Sequence, residues 1–438
     1  MKKIKVLLLT DEAWNDHIYP NNNMTNWFTD FENIEIAHVY CSEGEPLNKC
    51  CNYYFQVTDK MMFKSIIGKN KAGNIIDISF KGNNNTESNS INKSFFYTIV
   101  KKISGTHSEF LKLIRDFLWL LGRYDVEKLE MFINDFKPDI IFTQRVGTVK
   151  LCRLERLLRK ISGCPIIAFT GDNEYSLKII NFSPFFWIRR FMVRNAINKT
   201  AKYYSMYYTS SREQALEYAK KFKIPTSLMF KSGVPNYEKI HNKVNKPIRL
   251  VYAGKLYCGR WKTLALLVDA IKEVNINGTK LVLDIYTRDK LTKKQKKLLN
   301  DKKNVFYKGG ATPDELLKVY DNSDIVLHVE SLDPINRLIT QHSFSTKVID
   351  CLSSGCAVMV VGWEKHSACI ELKNSDSAFV MTNKEEVFET IRKIAEDNDL
   401  IKIYSNNAMN EIKVNHSRKD IQKKMYGDFL KVLDEGRK

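Results

Sequence analysis

The sequence lacks the features that mark membrane-spanning and disulfide-stapled proteins. It contains no uninterrupted apolar run of about 18 residues, so we expect no membrane-spanning helix. Its nine cysteines show no paired metal-ligand spacing, and several lie in apolar strand or helix patterns. This favours buried thiols in a reducing compartment over a disulfide framework. The alternative is a small redox or metal cluster of Cys41, Cys50 and Cys51.

Two nucleotide-binding fingerprints are also missing. No Gly-x-Gly-x-x-Gly follows a predicted strand, and no segment has the spacing of a Walker loop. Dinucleotide and P-loop triphosphate binding are therefore disfavoured. The N-terminal apolar run is short and meets Asp11 and Glu12, which favours a first β-strand over a signal peptide. We therefore expect a cytoplasmic protein.

Positive charge is in clear excess. Lysine and arginine number 69 against 50 acidic residues, a net charge of +19. Such a charge suggests a polyanionic partner: nucleic acid, anionic lipid or a phosphorylated substrate. The alternative is a general compositional bias, because featureless stretches such as KLTKKQKKLL are also rich in lysine and would form solvated surface. Charge alone does not identify the partner.

The C-terminal half has a regular pattern. From residue 248 onward, short β-rich runs alternate with amphipathic helical patterns. This alternation predicts a parallel sheet with helices on both faces, as in a Rossmann-like domain. Thr312 to Glu315 form a capping box with proline at the first helical position. Ser345 is expected to cap the next helix, which Gly355 ends.

The N-terminal half has the same parts in a less tidy arrangement. We predict a Rossmann-like domain over 1–235, with a polar, weakly patterned insertion loop at 68–106. A short linker then leads to the second domain, 248–415, and a C-terminal helix at about 417–436 is placed to pack back on the first domain. The fold class is therefore α/β, with two doubly wound domains facing a central cleft. In such domains ligands bind at the carboxyl ends of the strands.

Polar residues follow two predicted strands of the second domain. At Ser345–Lys347 a helix start combines free backbone N–H groups, two hydroxyls and a cation, which together suit an anion; a simple cap with a surface lysine is the alternative. Asp350 lies one turn further on. Glu330 ends another strand and could accept hydrogen bonds from sugar hydroxyls, although a solvated loop glutamate is as good an interpretation.

A third segment adds more cations. One strand ends at Gly254, and Lys255, Arg260 and Lys262 crowd the start of the following helix. Two phosphate-friendly helix starts in one sheet, with a carboxylate at a strand end between them, suit a nucleoside diphosphate attached to a sugar. The cations and N–H groups would take the diphosphate, and the carboxylates would take the hydroxyls.

These segments resemble those of GT-B glycosyltransferases, most closely family 4 and its relatives in bacterial capsule, exopolysaccharide or O-antigen synthesis. Gly254-Lys255-Leu256 with Arg260-Trp261-Lys262 is similar to the family's Gly-Arg-Leu segment followed by Lys. Ser345-Thr346-Lys347 through Asp350 to Gly355 is similar to its Pro-Ser-Lys-x-x-Glu-x-x-x-x-Gly segment. Glu330 and Asp350 match the family's two glutamates across a longer loop.

The resemblance implies roles for these residues. Lys255, Arg260, Lys262 and the helix start at Ser345, Thr346 and Lys347 would bind the diphosphate of a UDP- or GDP-type donor and stabilise it as it leaves. Glu330 would bind the donor sugar and Asp350 the ribose. The family needs no bound metal or other cofactor, because protein cations neutralise the diphosphate, and it retains the anomeric configuration.

Two N-terminal segments bear on the acceptor. Asp172 ends a strand where the family often has a cleft-facing polar residue, so it would orient or deprotonate the acceptor hydroxyl; helix capping or loop solvation is the alternative. The helix predicted at 183–204 places aromatic and aliphatic residues on one side and Arg189, Arg190 and Arg194 on the other. This pattern suits contact with an anionic membrane, or a helix packed on the domain core with its arginines in water.

We therefore expect a cytoplasmic, peripherally membrane-associated enzyme. It would transfer a sugar from a nucleotide-sugar to a glycan, lipid-linked as is common in the family, in surface polysaccharide synthesis. Two alternatives are a sugar-nucleotide epimerase with the same diphosphate site and a non-enzymatic polyanion-binding protein. The latter is disfavoured because no aromatic–basic nucleic-acid motif is present.

Overall fold

The computed structural model describes residues 3–18, 22–77, 108–236, 239 and 244–436. Within this part the chain divides into two compact units. Unit 1 comprises the residues up to Met229 together with those from Gln422 onward, and unit 2 runs from Phe230 to Ile421. The corresponding predicted ends are residues 235 and 415.

The described part of unit 1 is built on an eight-stranded sheet. Its order is β4-β3-β2-β1-β5-β6-β7-β8, and every neighbouring pair is parallel except β3 with β4. Strands buried on both faces read as nearly continuous apolar runs, as in β1. The strands are β1 (Ile4–Thr10), β2 (Ile34–Tyr40), β3 (Tyr53–Gln56), β4 (Asn74–Asp77), β5 (Ile140–Arg145), β6 (Ile166–Thr170), β7 (Tyr204–Thr209) and β8 (Thr226–Leu228).

Helices pack against this sheet. They are α1 (Asn23–Phe28), α2 (Asp59–Ile67), α3 (Glu109–Leu121), α4 (Val126–Phe136), α5 (Val149–Ser162), α6 (Pro184–Ala201) and α7 (Arg212–Phe222). A C-terminal helix, Arg418–Glu435, also belongs largely to this unit: Gln422 donates to the carbonyl oxygens of Trp27 and Thr29 at 3.0 and 2.8 Å. Of the predicted insertion loop 68–106, the part from 78 onward lies outside the described residues.

Unit 2 has a second sheet, of six parallel strands in the order β11-β10-β9-β12-β13-β14. The strands are β9 (Ile248–Ala253), β10 (Leu281–Tyr286), β11 (Val305–Gly309), β12 (Ile325–Val329), β13 (Ala357–Val361) and β14 (Phe379–Met381). The helices are α8 (Arg260–Val274), α9 (Lys293–Leu299), α10 (Pro313–Asp321), α11 (Pro334–Thr340), α12 (Thr346–Ser353), α13 (Ser367–Asn374), α14 (Lys384–Glu396) and α15 (Asp399–Asn415), so the C-terminal helix is α16. Both units are thus α/β and doubly wound, as predicted.

Three local predictions can be checked against the helix ends. The capping box of Thr312 and Glu315 is present, which confirms the start of α10. Ser345 occupies the N-cap position of α12, but its side chain makes no capping hydrogen bond, so the predicted side-chain cap is wrong. Gly355 follows the end of α12 with φ +75°, the left-handed conformation that glycine adopts most easily at this place.

The cysteines are free thiols, as expected. All nine lie in the described part of the chain, and seven of them are buried. Among the described residues, Cys41, Cys50 and Cys51 do not form a group that could hold a metal ion. The three described side chains that could do so lie in unit 2.

Candidate functional site

The sheet of unit 2 changes winding direction between β9 and β12. The chain leaves β9 toward β10 and β11 on one side, and reaches β12, β13 and β14 on the other. In open α/β sheets the loops that diverge at such a switch point leave a crevice at the carboxyl ends of the strands. The segments after β9 and β12 carry Gly254 to Lys262 and Glu330, so the fold brings these predicted residues to one place.

Gly254 leaves room for the side chain of Lys347. A Cβ at position 254 would lie 2.9 Å from Lys347 Nζ and 2.7 Å from the hydroxyl oxygen of Tyr252. That hydroxyl donates to the carbonyl oxygen of Lys255 at 2.7 Å and so fixes the start of the loop. The absence of a side chain at 254 therefore lets the first turn of α12 place an ammonium group directly at the end of β9.

Arg260 is oriented by the end of β12. The loop turns sharply through Cys258 and Gly259, with φ of 51° and 75°, and then enters α8. The Arg260 guanidinium contacts Glu330 through two hydrogen bonds, Nε to Oε2 at 3.1 Å and Nη2 to Oε1 at 2.6 Å. It also lies over the ring of Tyr257, 4.7 Å from the centroid. A two-point contact of this kind fixes the plane of the guanidinium.

Glu330 is kept ionised in a buried position. Burial alone would raise its pKa, but the hydrogen bond with His328 and the charge of the Arg260 guanidinium oppose burial, and the pKa lies well below its usual range. His328 Nε2 lies 3.4 Å from Glu330 Oε1. Both Arg260 and its partner are therefore charged at neutral pH, and Glu330 is a fixed anion that orients the cation.

Lys347 is short of negative neighbours. Burial lowers its pKa, and the nearby positive charges of Arg260 and Lys255 lower it further. Among the described residues no carboxylate lies within ion-pair distance of its ammonium group. Lys255, Arg260 and Lys347 thus lie near one another at the end of β9, and among the described residues only Arg260 of these three is paired with a carboxylate. Such a group gains electrostatic energy when it binds an oxyanion.

The other predicted donor residues lie around this centre in different settings. Asp350 accepts from Lys231 Nζ at 2.6 Å, and the Lys231 side chain is only 2% exposed. Ser345 and Thr346 form the start of α12, with Thr346 exposed. Lys262 points to Asp333, at 3.9 Å, and its side chain is 59% exposed. The structure therefore ties Lys255, Arg260, Lys347 and Glu330 together, while Lys262 belongs to a neighbouring ion pair.

Three residues of this site were not found from the sequence as participants. Lys231 follows β8 and the apolar residues Met229 and Phe230, and its buried ammonium group pairs with Asp350. His328 lies within β12, and its ring is close to Glu330. Asp333 caps α11 and accepts a hydrogen bond from the backbone N–H of Asn336 at 2.9 Å. Helix α11 lies in the segment between Glu330 and Asp350 that was predicted to be a loop.

Asp172 follows β6 in unit 1 and is exposed. Its backbone carbonyl accepts from Glu174 N at 2.9 Å and from Gln214 Nε2 at 2.8 Å, which fixes the loop. Its predicted part in the reaction stays a prediction.

Helix α6 packs on the core of unit 1, as one of the two interpretations expects, but the part of that interpretation that places its arginines in water is wrong. Arg189 donates to Asp116 Oδ2 at 2.8 Å and to the carbonyl oxygen of Gly147 at 2.9 Å. Arg190 donates to the carbonyl oxygens of Asn173 and Ser176, and Arg194 lies over the ring of Tyr175. These groups hold the loop after β6 on α6, and they are turned toward the protein.

The apolar side of α6 is exposed and continues onto α3. The rings of Phe110 and Phe185 join the two helices at a centroid distance of 5.0 Å. We call this the α3–α6 apolar surface; it comprises Phe110, Ile114, Phe117, Leu121, Phe185, Ile188 and Phe191, all of them exposed. In the part of the chain that the structure describes, no helix has both the length and the apolar character needed to cross a membrane.

Comparisons with known proteins agree with this description. Residues 259–425 match a family model described as glycosyl transferase-like, which covers most of unit 2. None of the curated proteins has a sequence that matches the chain.

Several solved structures share the fold at low sequence identity. HepE of Anabaena, solved with UDP, is 13% identical with a TM-score of 0.60, over 98% of this chain and 100% of its own. A glycosyltransferase of Rickettsia africae is 12% identical with a TM-score of 0.59, over 99% of each chain. Sucrose-phosphate synthase of Thermosynechococcus elongatus is 11% identical with a TM-score of 0.59, over 99% and 100%.

The two doubly wound units and these neighbours confirm the predicted GT-B fold. The family match over unit 2 further confirms that the chain is a glycosyltransferase. Its assignment to family 4 in particular stays a prediction.

Proposed function

We propose that the protein transfers a sugar from a nucleotide-sugar of the UDP or GDP type to a glycan acceptor, and that unit 2 binds the donor. The observation that carries the proposal is the cation group at the end of β9, where Lys347 rests against Gly254 beside Arg260 and Lys255. A diphosphate supplies the negative charge that this group lacks. The solved complexes of HepE with UDP and with UDP-glucose support the choice of ligand class.

In the proposed reaction the bond between the anomeric carbon and the diphosphate oxygen breaks. Negative charge then grows on the leaving diphosphate, and Lys347 with Arg260 stabilises it, because these groups are already oriented before the step. Glu330 holds Arg260 in place and is also our candidate for the donor sugar. Asp350, with Lys231, is our candidate for the ribose, and Ser345 and Thr346 for the phosphates.

Protein cations serve here in place of a metal ion in our proposal. Lys255 and Lys262 would complete the positive charge around the diphosphate, so transfer would need no bound divalent cation. If this is correct, activity survives dialysis against a strong chelator such as EDTA. Loss of activity on chelation, with recovery on adding Mg²⁺ or Mn²⁺, would contradict it.

Unit 1 would bind the acceptor. We propose Asp172 as the group that orients or deprotonates the acceptor hydroxyl, since it is an exposed carboxylate at the end of β6. Retention of the anomeric configuration is proposed on the family 4 resemblance.

The α3–α6 apolar surface supports a lipid-linked acceptor. Ile188 is 48% and Phe191 56% exposed, on a helix whose arginines face the protein. The apolar side chains of this helix would therefore be the groups that contact a bilayer. We propose that this surface rests on the inner face of the cell membrane, aided by the net charge of +19. A lipid-linked glycan of a surface polysaccharide would be reached there.

The function is tested with a panel of UDP-, GDP- and ADP-sugars, following release of the nucleoside diphosphate. We expect release from at least one donor by the wild type, and loss of that release in Lys347→Met. Lys373→Met is the matched control, because Lys373 is an exposed lysine at the end of α13. No release and no binding for any donor would contradict the proposal. Conversion of the donor sugar without an acceptor, followed by nuclear magnetic resonance, would indicate an epimerase instead.

Membrane contact is tested by co-sedimentation with vesicles containing phosphatidylglycerol. We expect Ile188→Glu with Phe191→Glu to release the protein from the vesicles. Leu216→Glu serves as the control, because Leu216 is an exposed apolar residue on α7, outside the α3–α6 apolar surface. Equal binding of both variants would contradict the membrane proposal and leave the donor site untouched.

A further inference from the structure

A polar cavity lies in unit 1, at the carboxyl ends of β1 and β5. Its volume is about 260 Å³, and six charged side chains line it together with the loop after β5. The charged residues are Asp11, Lys112, Arg115, Asp116, Lys150 and Arg189. They come from four different parts of the chain, so only the folded sheet brings them together.

The position of the cavity matches the winding of the sheet. In the order β4-β3-β2-β1-β5-β6-β7-β8, the chain leaves β1 toward β2 on one side and later continues from β5 on the other. The cavity therefore lies at the switch point of unit 1, where open α/β sheets bind their ligands. Asp11 follows β1, and Gly147 and Thr148 follow β5.

Two of the cations are held by carboxylates that do not themselves line the cavity. Lys112 Nζ contacts Glu109 at 2.7 Å, one turn away on α3. Arg115 Nε contacts Asp59 Oδ2 at 2.9 Å, which leaves the terminal nitrogens of its guanidinium for other partners. Each cation is thus oriented by an acid beside it.

The other two cations are more deeply embedded. Lys150 is 2% exposed, forms an ion pair with Asp11 and lies over the ring of Trp119 at 5.3 Å. Arg189 is fixed by Asp116 and by the carbonyl oxygen of Gly147. Burying a lysine is costly unless its charge is paired, and here Asp11 and the Trp119 ring fix the Lys150 ammonium group at the wall of the cavity.

Thr148 has a hydroxyl group that lacks a hydrogen-bond partner among the described residues. It stands at the N-cap of α5, yet its side chain makes no capping hydrogen bond, and its hydroxyl oxygen is buried without a hydrogen-bond partner in the described structure. The backbone N–H of Val149, the first residue of α5, donates a hydrogen bond to the Asp116 carboxylate. A buried, unsatisfied hydroxyl costs free energy, and a ligand hydroxyl or oxyanion in the cavity would satisfy it.

We propose that this cavity binds an oxyanion, a phosphate or a carboxylate, carried by the sugar of the acceptor. The terminal nitrogens of Arg115 and the unpaired hydroxyl of Thr148 can bind such an oxyanion, while Asp11 and Asp116 can accept hydrogen bonds from sugar hydroxyls. This inference rests on the proposed function, since it names the chemistry of the acceptor that unit 1 would receive. It makes the protein selective for an acidic or phosphorylated glycan end.

The test is isothermal titration of the full chain with glucose 6-phosphate, glucuronate, glucose and inorganic phosphate. Saturating UDP is present, and the titrations are repeated with the Lys347→Met variant, so that sugar binding to the cations of unit 2 does not contribute to the measured heat. We expect a charged sugar to bind at least about tenfold more tightly than glucose. Preference for glucose 6-phosphate assigns a phosphate, and preference for glucuronate assigns a carboxylate.

Lys112→Gln should weaken this binding by about tenfold, because it removes one charge-assisted hydrogen bond. Lys128→Gln is the matched control: Lys128 also pairs with an acid three residues earlier on a helix of unit 1, Asp125, and it does not line the cavity. Both variants replace a partly exposed lysine, so their folding should be unaffected.

The proposal is overturned if no charged sugar binds at millimolar concentration, if glucose binds equally well, or if Lys112→Gln and Lys128→Gln behave alike. A failure of the proposed function is seen separately, as the absence of nucleoside diphosphate release across the donor panel. Cavity binding without donor turnover would support the oxyanion site and contradict the transferase proposal. Donor turnover without cavity binding would support the transferase proposal and contradict the oxyanion site.

Discussion

The switch points of the two units differ in how their charges are balanced. In unit 2, the cations Lys255, Arg260 and Lys347 lie near one another at the end of β9, and among the described residues only Arg260 of the three is paired with a carboxylate, Glu330. In unit 1, each cation at the ends of β1 and β5 has a carboxylate of its own, as Arg189 has Asp116. Sheets with the same winding thus place opposite kinds of electrostatic site at equivalent positions.

The difference teaches what kind of ligand each site can accept. Cations without counter-ions repel one another, and a permanently charged diphosphate removes that repulsion when it binds. A site of matched ion pairs gains less from added charge, and it discriminates by the placement of many polar groups. On this basis we expect strong, charge-driven binding in unit 2 and more selective binding in unit 1.

The largest effect is expected from removing the cation without a counter-ion. Lys347→Met should lower kcat/KM for the nucleotide-sugar by about 100- to 1000-fold, because a preoriented group that stabilises the leaving diphosphate is lost. Steady-state kinetics with the best donor measures it. If Lys347→Met lowers kcat/KM no more than Lys373→Met does, the charge imbalance of unit 2 has no catalytic role.

The next effect tests unit 1. Asp172→Asn should slow transfer to the acceptor by about 100-fold, the usual contribution of a general base, and should leave the binding of nucleoside diphosphate unchanged. The two readouts are acceptor glycosylation and titration with UDP. The control is Asp125→Asn, at the N-cap of α4. The neighbouring Asn173 is unsuitable as a control, because its side chain accepts a hydrogen bond from Arg190. A variant Asp172→Asn with full transfer activity would leave Asp172 as a loop residue.

Much of the fold of unit 2 was predictable because its pattern is local. Alternating β-rich and amphipathic runs gave every strand from β9 to β14, and the capping box at Thr312 gave the start of α10. Helix α11 was missed because its seven residues form a short pattern next to proline and asparagine, which also suit a loop.

Side-chain pairing was less predictable, since it depends on residues far apart in the chain. The sequence places Arg260 and Glu330 in one domain, but the contact between them needs the order of β9 and β12 in the sheet. The pattern of α6 likewise separates apolar from basic residues. It does not show that Arg189 turns to Asp116 on α3, a partner 73 residues earlier.

A smaller effect is expected from the backbone of the donor site. Gly254→Ala should weaken binding of nucleoside diphosphate by about tenfold, because the new methyl group would stand 2.9 Å from Lys347 Nζ and 2.7 Å from the Tyr252 hydroxyl, and Lys347 must move. Titration with UDP measures it. Gly278→Ala is the control for adding a methyl group, as nothing lies within 4 Å of a Cβ there, although its φ of 128° adds some strain. Unchanged binding in Gly254→Ala would show that Lys347 need not rest at the end of β9.

The last comparison concerns stability and contrasts one buried histidine in each unit. In unit 1, burial lowers the pKa of His38 to about 3, so it stays neutral in the folded state, where Thr10 Oγ1 lies 2.8 Å from its Nε2. In unit 2, burial also opposes the charge on His416, but hydrogen bonds with Glu371 and Glu411 outweigh it and raise its pKa. The two histidines should therefore respond to pH with opposite signs.

The signs follow from proton binding. Below the ordinary histidine pKa of 6.5 the unfolded chain gains a proton at His38 that the folded chain does not take up, so stability falls on acidification. For His416 the folded chain holds its proton to higher pH than the unfolded chain. Its contribution is thus complete below 6.5 and is lost as the pH rises through the raised folded value.

Thermal unfolding of the full chain at pH 5 and pH 9 checks both signs. His38→Gln should reduce the loss of stability between pH 9 and pH 5 by about 2 kcal/mol. His416→Gln should cost more stability at pH 5 than at pH 9. His17→Gln is the control, since His17 is exposed in unit 1. If both buried variants shift with pH in the same direction, then either the Glu371 and Glu411 carboxylates do not hold a proton on His416, or His38 is not kept neutral by its burial.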